Sequence, residues 1–394
     1  MRPLDTADVE ASRRLGWEAF GFPSTPVDEA PESFPPGMRL FGAFDSHGVL
    51  AARMADRDYD SYFGGSTVPT CGIAGVTTAA EHRGVGLLTP LFRETLRAAR
   101  TRGAAISTLF PTAPRIYRRF GYEIVGDYVS VEVPTASLAA VPAEGRLRVR
   151  RAGPADYDEV RRVYAEWAVA QNGPLTRSGA SFTATADDFI GSFSGVTLAV
   201  DEQDHVHGYA SWSRGRGYGE TARIDVADLI ATSMEAWRAL VAVLGSFASV
   251  ATTTRLDTSG PDLLRLLLPS ASWQVVDDSP YMLRLLDLPL AFGGRGFAPG
   301  IEAQLRFELR DEFLDELSGS WLLEISGGTA RCSRSDVPDG VGPVFEGRGL
   351  SLMYAGAQSA ANLRMAGLMG GEATDDRSWD NAFGGRQFHI RDYF

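Results

Sequence analysis

The sequence predicts a chain of mixed helix and strand in three successive domains, α/β at the start and α+β at the end. Three observations carry that expectation. At 394 residues the chain exceeds one ordinary hydrophobic core. A strand, a glycine-rich loop, an amphipathic helix and a second strand follow one another from Val76 to Phe110. Two stretches opening on a helix also echo each other at one constant offset. Ala7-Asp8, Arg13-Arg14 and Glu18 match Ala155-Asp156, Arg161-Arg162 and Glu166.

The first domain spans 1–134. A helix from Thr6 to about Phe20 opens it, capped by Asp5 or Thr6. Strands follow over Met38 to Phe44 and Val49 to Tyr59, joined by the turn Asp45-Ser46-His47-Gly48. Gly64 to Pro69 reads as a loop. Leu87, Leu88, Leu91, Thr95 and Leu96 share one face of the next helix, with Pro90 tolerated in its first turn. A strand covers Ala105 to Phe110, and two more close the domain around Tyr122 to Gly126 and Tyr128 to Val133. Pro134 to Gly145 is a linker of small residues. The second domain, 146–290, lacks a glycine loop: after Val226 to Leu229, the run Thr232-Ser233-Met234-Glu235 starts a helix with no glycine. The third, 291–394, alternates short strands (Ala303 to Leu309, Ser320 to Ile325, Thr329 to Cys332) around a Gly327-Gly328 hairpin. Helices then follow near Leu350 to Tyr354 and Ser359 to Ala366.

Composition narrows the function. A formal charge of −12 disfavours nucleic acid as a partner and suits a cationic substrate. Cys71, Cys332 and five scattered histidines make neither a metal cluster nor a disulfide framework. His205 and His207 come nearest to a ligand pair, and we expect no metal there. No apolar run is long enough to cross a bilayer, and the N-terminus lacks a signal-peptide core, so a cytoplasmic protein without membrane contact is expected.

The chemistry concentrates between Val76 and Tyr122. A loop rich in glycine and arginine that opens a helix aims unpaired N–H groups at an anion. The Walker lysine is absent, and so is an acid at ribose-reading distance in a GxGxxG frame, which disfavours a nucleoside triphosphate or a dinucleotide. The quoted residues are Val76-Thr77-Thr78, then His82-Arg83-Gly84-Val85-Gly86-Leu87-Leu88, then Ile116-Tyr117-Arg118-Arg119-Phe120-Gly121-Tyr122. This pattern resembles the acyl-CoA site of the GCN5-related N-acetyltransferases (GNAT), and most of all their enhanced-intracellular-survival (Eis) branch. The resemblance extends to Tyr281-Met282-Leu283-Arg284-Leu285-Leu286-Asp287-Leu288-Pro289 and to the final Phe394.

The resemblance implies two tandem GNAT-like folds, the second without cofactor, and a sterol-carrier-like third domain. It further implies acetyl-CoA as cosubstrate, a primary amine (an aminoglycoside or a lysine-like acceptor) as the other substrate, and a homo-oligomer, a hexamer in that branch. Arg83, Gly84, Val85, Gly86, Leu87, Leu88 and Thr89 would hold the pyrophosphate. Val76, Thr77 and Thr78 would meet the pantetheine arm and acetyl carbonyl, and Thr112 and Ala113 would line the groove. Tyr117 takes the place of the general acid, with Tyr122 as rival, and the α-carboxylate of Phe394 that of the base. Glu81 and His82 are expected to face solvent. Tyr393, and the apolar Phe20-Gly21-Phe22-Pro23, stand where acids would suit an aminoglycoside, and they point to a smaller, less cationic or aromatic amine. A carrier of lipid or another apolar ligand, with vestigial transferase domains, is the alternative.

Overall fold

The computed structural model of the chain describes residues 1–22, 33–259, 262–268, 272–336 and 342–394. The first strands are β1 (Arg2–Pro3), β2 (Met38–Phe44), β3 (Leu50–Phe63), β4 (Ser66–Thr78), β5 (Ile106–Leu109) and β6 (Glu123–Pro134). Their helices are α1 (Val9–Phe20), α2 (Leu88–Thr101) and α3 (Pro114–Arg118). Next come α4 (Thr135–Ala139), β7 (Arg148–Arg151), α5 (Tyr157–Ala168), α6 (Ala186–Gly191), β8 (Gly195–Val200), β9 (Val206–Arg214) and β10 (Gly219–Ala231). The central region ends with α7 (Met234–Gly245), β11 (Ala251–Thr258), α8 (Leu263–Leu267) and β12 (Gln274–Leu285).

These strands form one sheet in the order β1-β2-β3-β4-β5-β12-β6-β11-β10-β9-β8-β7. The two ends mirror each other, with parallel β4–β5 matched by parallel β10–β11. Each half completes itself with a strand from the other: β12 pairs with β5, β6 pairs with β11, and β6 and β12 pair together at the centre. The sequence echo is visible here as well. Asp8 accepts the Asp5 N–H at 3.0 Å and pairs with Arg2; Asp156 accepts the Gly153 N–H at 2.9 Å and pairs with Arg150. A short 3₁₀ turn precedes a longer α-helix in both places.

The C-terminal region packs α9 (Leu288–Gly294), α10 (Gly347–Ala355), α11 (Ala360–Met365) and α12 (Asp376–Phe383) on a second sheet. Its strands are β13 (Ala303–Arg310), β14 (Gly319–Ser326), β15 (Thr329–Arg334), β16 (Pro343–Glu346) and β17 (Met369–Gly371), ordered β15-β14-β13-β16-β17. Aromatic rings fill its interior: the buried Trp379 meets Phe345 at 4.9 Å and Phe307 at 5.3 Å. The chain after α12 then leaves this region for the large sheet. There Asn172 donates its N–H to the Gln387 carbonyl at 2.9 Å, and His389 donates to the Asn172 carbonyl at 2.7 Å.

Three local expectations change. Most of Gly64 to Pro69 belongs to β4, because only Gly64 and Gly65 turn, both at positive φ. Pro69 is tolerated since it precedes the β4–β5 pairing, which starts at Thr70, and its carbonyl still accepts from Ala105 at 2.8 Å. The two strands expected after Tyr122 are one continuous β6 with a register shift. Part of the 134–145 linker is helical: α4 packs so tightly on α7 that a Cβ on Gly245 would meet the Ala139 backbone. Among the described residues, no helix is long and apolar enough to cross a membrane.

Candidate active site

A cavity of about 530 Å³ lies where β4 gives way to α2. Val76, Thr77, Thr78, Arg83, Gly84, Gly86, Leu87, Leu88, Thr89, Thr112 and Tyr117 line it. Val85 and Ala113 do not; Val85 points to solvent, 65 % exposed. Gly84 and Gly86 have φ of +81° and +85°, a backbone that side chains resist, and open space surrounds both. The loop therefore turns without blocking itself. No side chain caps α2. Among the described residues, the N–H groups of Gly84 through Leu88 find no acceptor. The matching helix of the second half differs: the Ser233 hydroxyl accepts from Ala236 N at 3.2 Å and closes the start of α7. An open, uncapped helix start is a receptor for an anion.

The strand beside this cavity is split from its neighbour. β4 and β5 pair at Thr70, Cys71 and Gly72 and then part, while β4 stays paired to β3 up to Thr78. A bulge at Gly75, with φ +56°, inserts one extra residue on β4 opposite Arg53 to Ala55. Before the bulge, Pro69 and Cys71 turn their carbonyls towards β5, accepting from Ala105 N and Ser107 Oγ. After it the alternation reverses. Ala79 donates to Ala51 on the β3 side, and Val76 and Thr78 face the gap. The Thr78 carbonyl accepts from Arg83 Nε at 3.4 Å.

Tyr117 on α3 is buried, with its ring edge-on to Phe92 at 5.9 Å. Burial raises its phenol above the ordinary value, and a hydrogen bond with Thr112 offsets part of that. The phenol is thus protonated at neutral pH. Arg284 anchors the following turn, donating to the Phe120 carbonyl and pairing with Asp311 at 2.7 Å. Tyr122, the rival, is fully buried and bonds to Ser107 Oγ at 2.6 Å in the core.

Phe394 lines a different, wider cavity of about 960 Å³. The two cavities share no lining residue. They approach through the tail: Tyr393 and Phe394 pack on Phe110 at 4.3 and 5.5 Å, two residues before Thr112. The Phe394 ring also lies over Tyr59 at 4.9 Å and over Gly72, where β4 and β5 part. Four charges pin this tail. Arg177 bonds Asp228 at 2.5 Å and Asp392 at 2.8 Å, and Arg391 reaches Asp228 at 3.3 Å. Arg391 also bonds the carbonyls of Asp257 and Ala227 at the place where β10 and β11 separate. A tail arginine therefore fills the second half's equivalent of the β4–β5 gap. Burial raises Asp228, yet two arginines and Tyr209 hold it down to about 2. Asp392 touches only one of those arginines, and burial leaves it raised.

Other lining residues went unassigned in the sequence. Ala19, Ile116, Arg119 and His82 also line the loop cavity. His82 faces solvent only in part, with its side chain 31 % exposed; its Nδ1 is buried without a partner and its Nε2 lies 3.8 Å from Asp45. Arg119 sits inside the quoted motif, one place beyond Arg118, which instead pairs with Glu123 at 2.8 Å. Phe22 lines neither cavity and stacks on Trp17 at 5.1 Å; Pro23 lies outside the described residues. His205 and His207 both lean on Asp201, at 3.1 and 3.2 Å.

Known proteins match this architecture piece by piece. Residues 1–125 and 173–285 each match a family model described as an acetyltransferase (GNAT) domain, and residues 288–391 a sterol carrier protein domain. An uncharacterized N-acetyltransferase of Streptomyces griseus is 31 % identical, covering 82 % of this chain and 81 % of its own. N-acetyltransferase Eis of Mycobacterium tuberculosis is 27 % identical over 76 % of this chain and 74 % of its own. The crystal structure of a GCN5-related N-acetyltransferase from Kribbella flavida superposes with TM-score 0.85 at 30 % identity, covering 100 % of this chain and 98 % of that one. The open helix start, the parted strands and these likenesses agree: the chain belongs to the GCN5-related N-acetyltransferases, in the Eis-like branch with two acetyltransferase domains and a sterol carrier domain, and is an acyltransferase that uses acetyl-CoA.

Proposed function

We propose that the chain transfers the acetyl group of acetyl-CoA directly to a primary amine, with Tyr117 as general acid and the α-carboxylate of Phe394 as base. One observation carries this reading: five unpartnered N–H groups and the Tyr117 phenol line or border the same cavity. Those amides, with Arg83 and Arg119, would hold the pyrophosphate, Arg119 supplying the second cation that Gly84 does not. The amides of Val76 and Thr78 would meet the pantetheine and the carbonyl oxygen, where one such donor is worth roughly 3 kcal/mol. The amine enters from the wide cavity. Its nitrogen attacks the thioester carbon, a C–N bond forms, the C–S bond breaks, and the thiolate takes the Tyr117 proton. The proton lost by the amine passes to the carboxylate of Phe394, whose ring packs at Gly72 where the two cavities approach.

The domains are taken to run over 1–134, 146–290 and 291–394. A homohexamer is our expectation by likeness to the Eis branch. Two buried, unpaired thiols, Cys71 and Cys332, fit a reducing cytoplasm. Calorimetry with acetyl-CoA, followed by thiol release over a panel of amines, tests the reading. A chain that binds no acetyl-CoA, or releases thiol with no amine, overturns it.

A further inference from the structure

The wide cavity deepens that reading by indicating which amine it takes. The protein as a whole is acidic, yet the charges on this wall balance. Asp228 and Asp392 are already committed to Arg177 and Arg391. Arg162 is committed to Glu159 and Glu166. Besides the Phe394 α-carboxylate, what remains free among the described residues is Asp60 and Asp158 against Arg57 and Arg161. Arg57 has a buried Nε without any acceptor, and its guanidinium lies over the Tyr59 ring at 5.4 Å. A buried charged donor of this kind calls for an anion. The Asp60 carboxylate likewise has no hydrogen-bonded partner among the described residues, while its neighbour Asp58 is held by Arg39 and Arg102.

The rest of the wall is aromatic. Tyr157 and Phe193 pack on Phe189, tilted at 5.3 Å and edge-on at 5.4 Å, and Tyr59, Tyr128 and Tyr393 lie on the side of the tail. With the Phe394 carboxylate reserved for the reacting nitrogen, the further ammonium groups of a polycation would meet Arg57 and Arg161 as well as Asp60 and Asp158, and the two arginines would repel them. We propose that the acceptor is an aromatic amino acid, with one ammonium and one carboxylate on an aryl body, and that Arg57 recognises its carboxylate. This rests on the acetyltransferase reading above.

Thiol release from acetyl-CoA with L-tyrosine, tyramine and kanamycin A tests it, in the full chain. L-tyrosine should exceed both others in kcat/KM by about tenfold or more, the worth of one charged hydrogen bond. Arg57→Gln should raise KM for L-tyrosine about tenfold, leave tyramine within about twofold, and be partly rescued by Arg57→Lys. Preference for tyramine or kanamycin A, or an Arg57→Gln effect equal on both monoamines, overturns the proposal and leaves the transferase reading standing. Acetyl-CoA binding without turnover of any amine overturns both.

Discussion

Replacing Asp228 by asparagine keeps the shape of the tail anchor and removes the charge at its centre. Asp228 takes two bonds from Arg177, at 2.5 and 3.1 Å, one from Tyr209 at 2.9 Å and one from Arg391 at 3.3 Å. Holding this carboxyl at about 2 favours its charged form by roughly 2 kcal/mol over an exposed aspartate. The variant also leaves Arg177 with Asp392 alone and Arg391 with no carboxylate partner, and breaking a buried ion pair on one side costs about 3–5 kcal/mol. We expect a loss within that range in urea unfolding, together with faster removal of Phe394 and Tyr393 by a carboxypeptidase. Acid adds a second readout. A lowered carboxyl contributes stability above its unfolded value, lost as pH falls from about 4 towards 2, so Asp228→Asn should lack that part of the acid transition. Asp392 is raised and has the opposite sign, so Asp392→Asn should cost less. An Asp228→Asn chain with unchanged unfolding and an equally resistant tail refutes the reasoning.

Tyr117→Phe should lower kcat about 10²-fold and leave the acetyl-CoA Kd unchanged by calorimetry. A few residues added after Phe394 should abolish turnover while acetyl-CoA still binds, and full activity would remove the carboxylate from the mechanism. Gly72→Ala would press a methyl group to 2.5 Å from the Tyr59 ring and 3.0 Å from Phe394, so it should depress activity more than acetyl-CoA binding. His389 is lowered to about 4 by burial and by Arg391. Its unfolded form binds a proton that the folded form refuses, so stability should fall as pH drops from about 6.5 to 4, and thermal melts of His389→Gln should lose that slope.

The sequence made the cofactor side legible because its signals are local. Glycine at positive φ, an uncapped helix start and an amphipathic face all act within a few residues, and Arg83, Gly84 and Gly86 to Thr89 line the loop cavity while Val85 turns outward. Phe92 and Ala99 complete the buried face of α2, although only its leucines and Thr95 were singled out. What stayed hidden depends on distant pairing. Nothing near Arg177 or Asp228 announces that residues 391 and 392 arrive to share their charges. The bulge at Gly75 shows only once β3 lies alongside, and the separation at Gly72 only once β5 does. The duplicated helix openings were visible as a faint echo, whereas the exchange of β6 and β12 left no local mark.

That exchange governs the order of assembly. On the ribosome, residues 1–134 emerge with β5 presenting a bare hydrogen-bonding edge, since its partner residues lie 173 to 179 positions downstream (Leu109 with Met282, Ile106 with Leu285). The acetyl-donor fold is therefore finished only after the central region has been made, and removing either segment exposes a sticky rim on the other. Fragments trimmed to a single transferase module should aggregate, and mutations along β12 should impair the donor site from a distance as much as substitutions inside it.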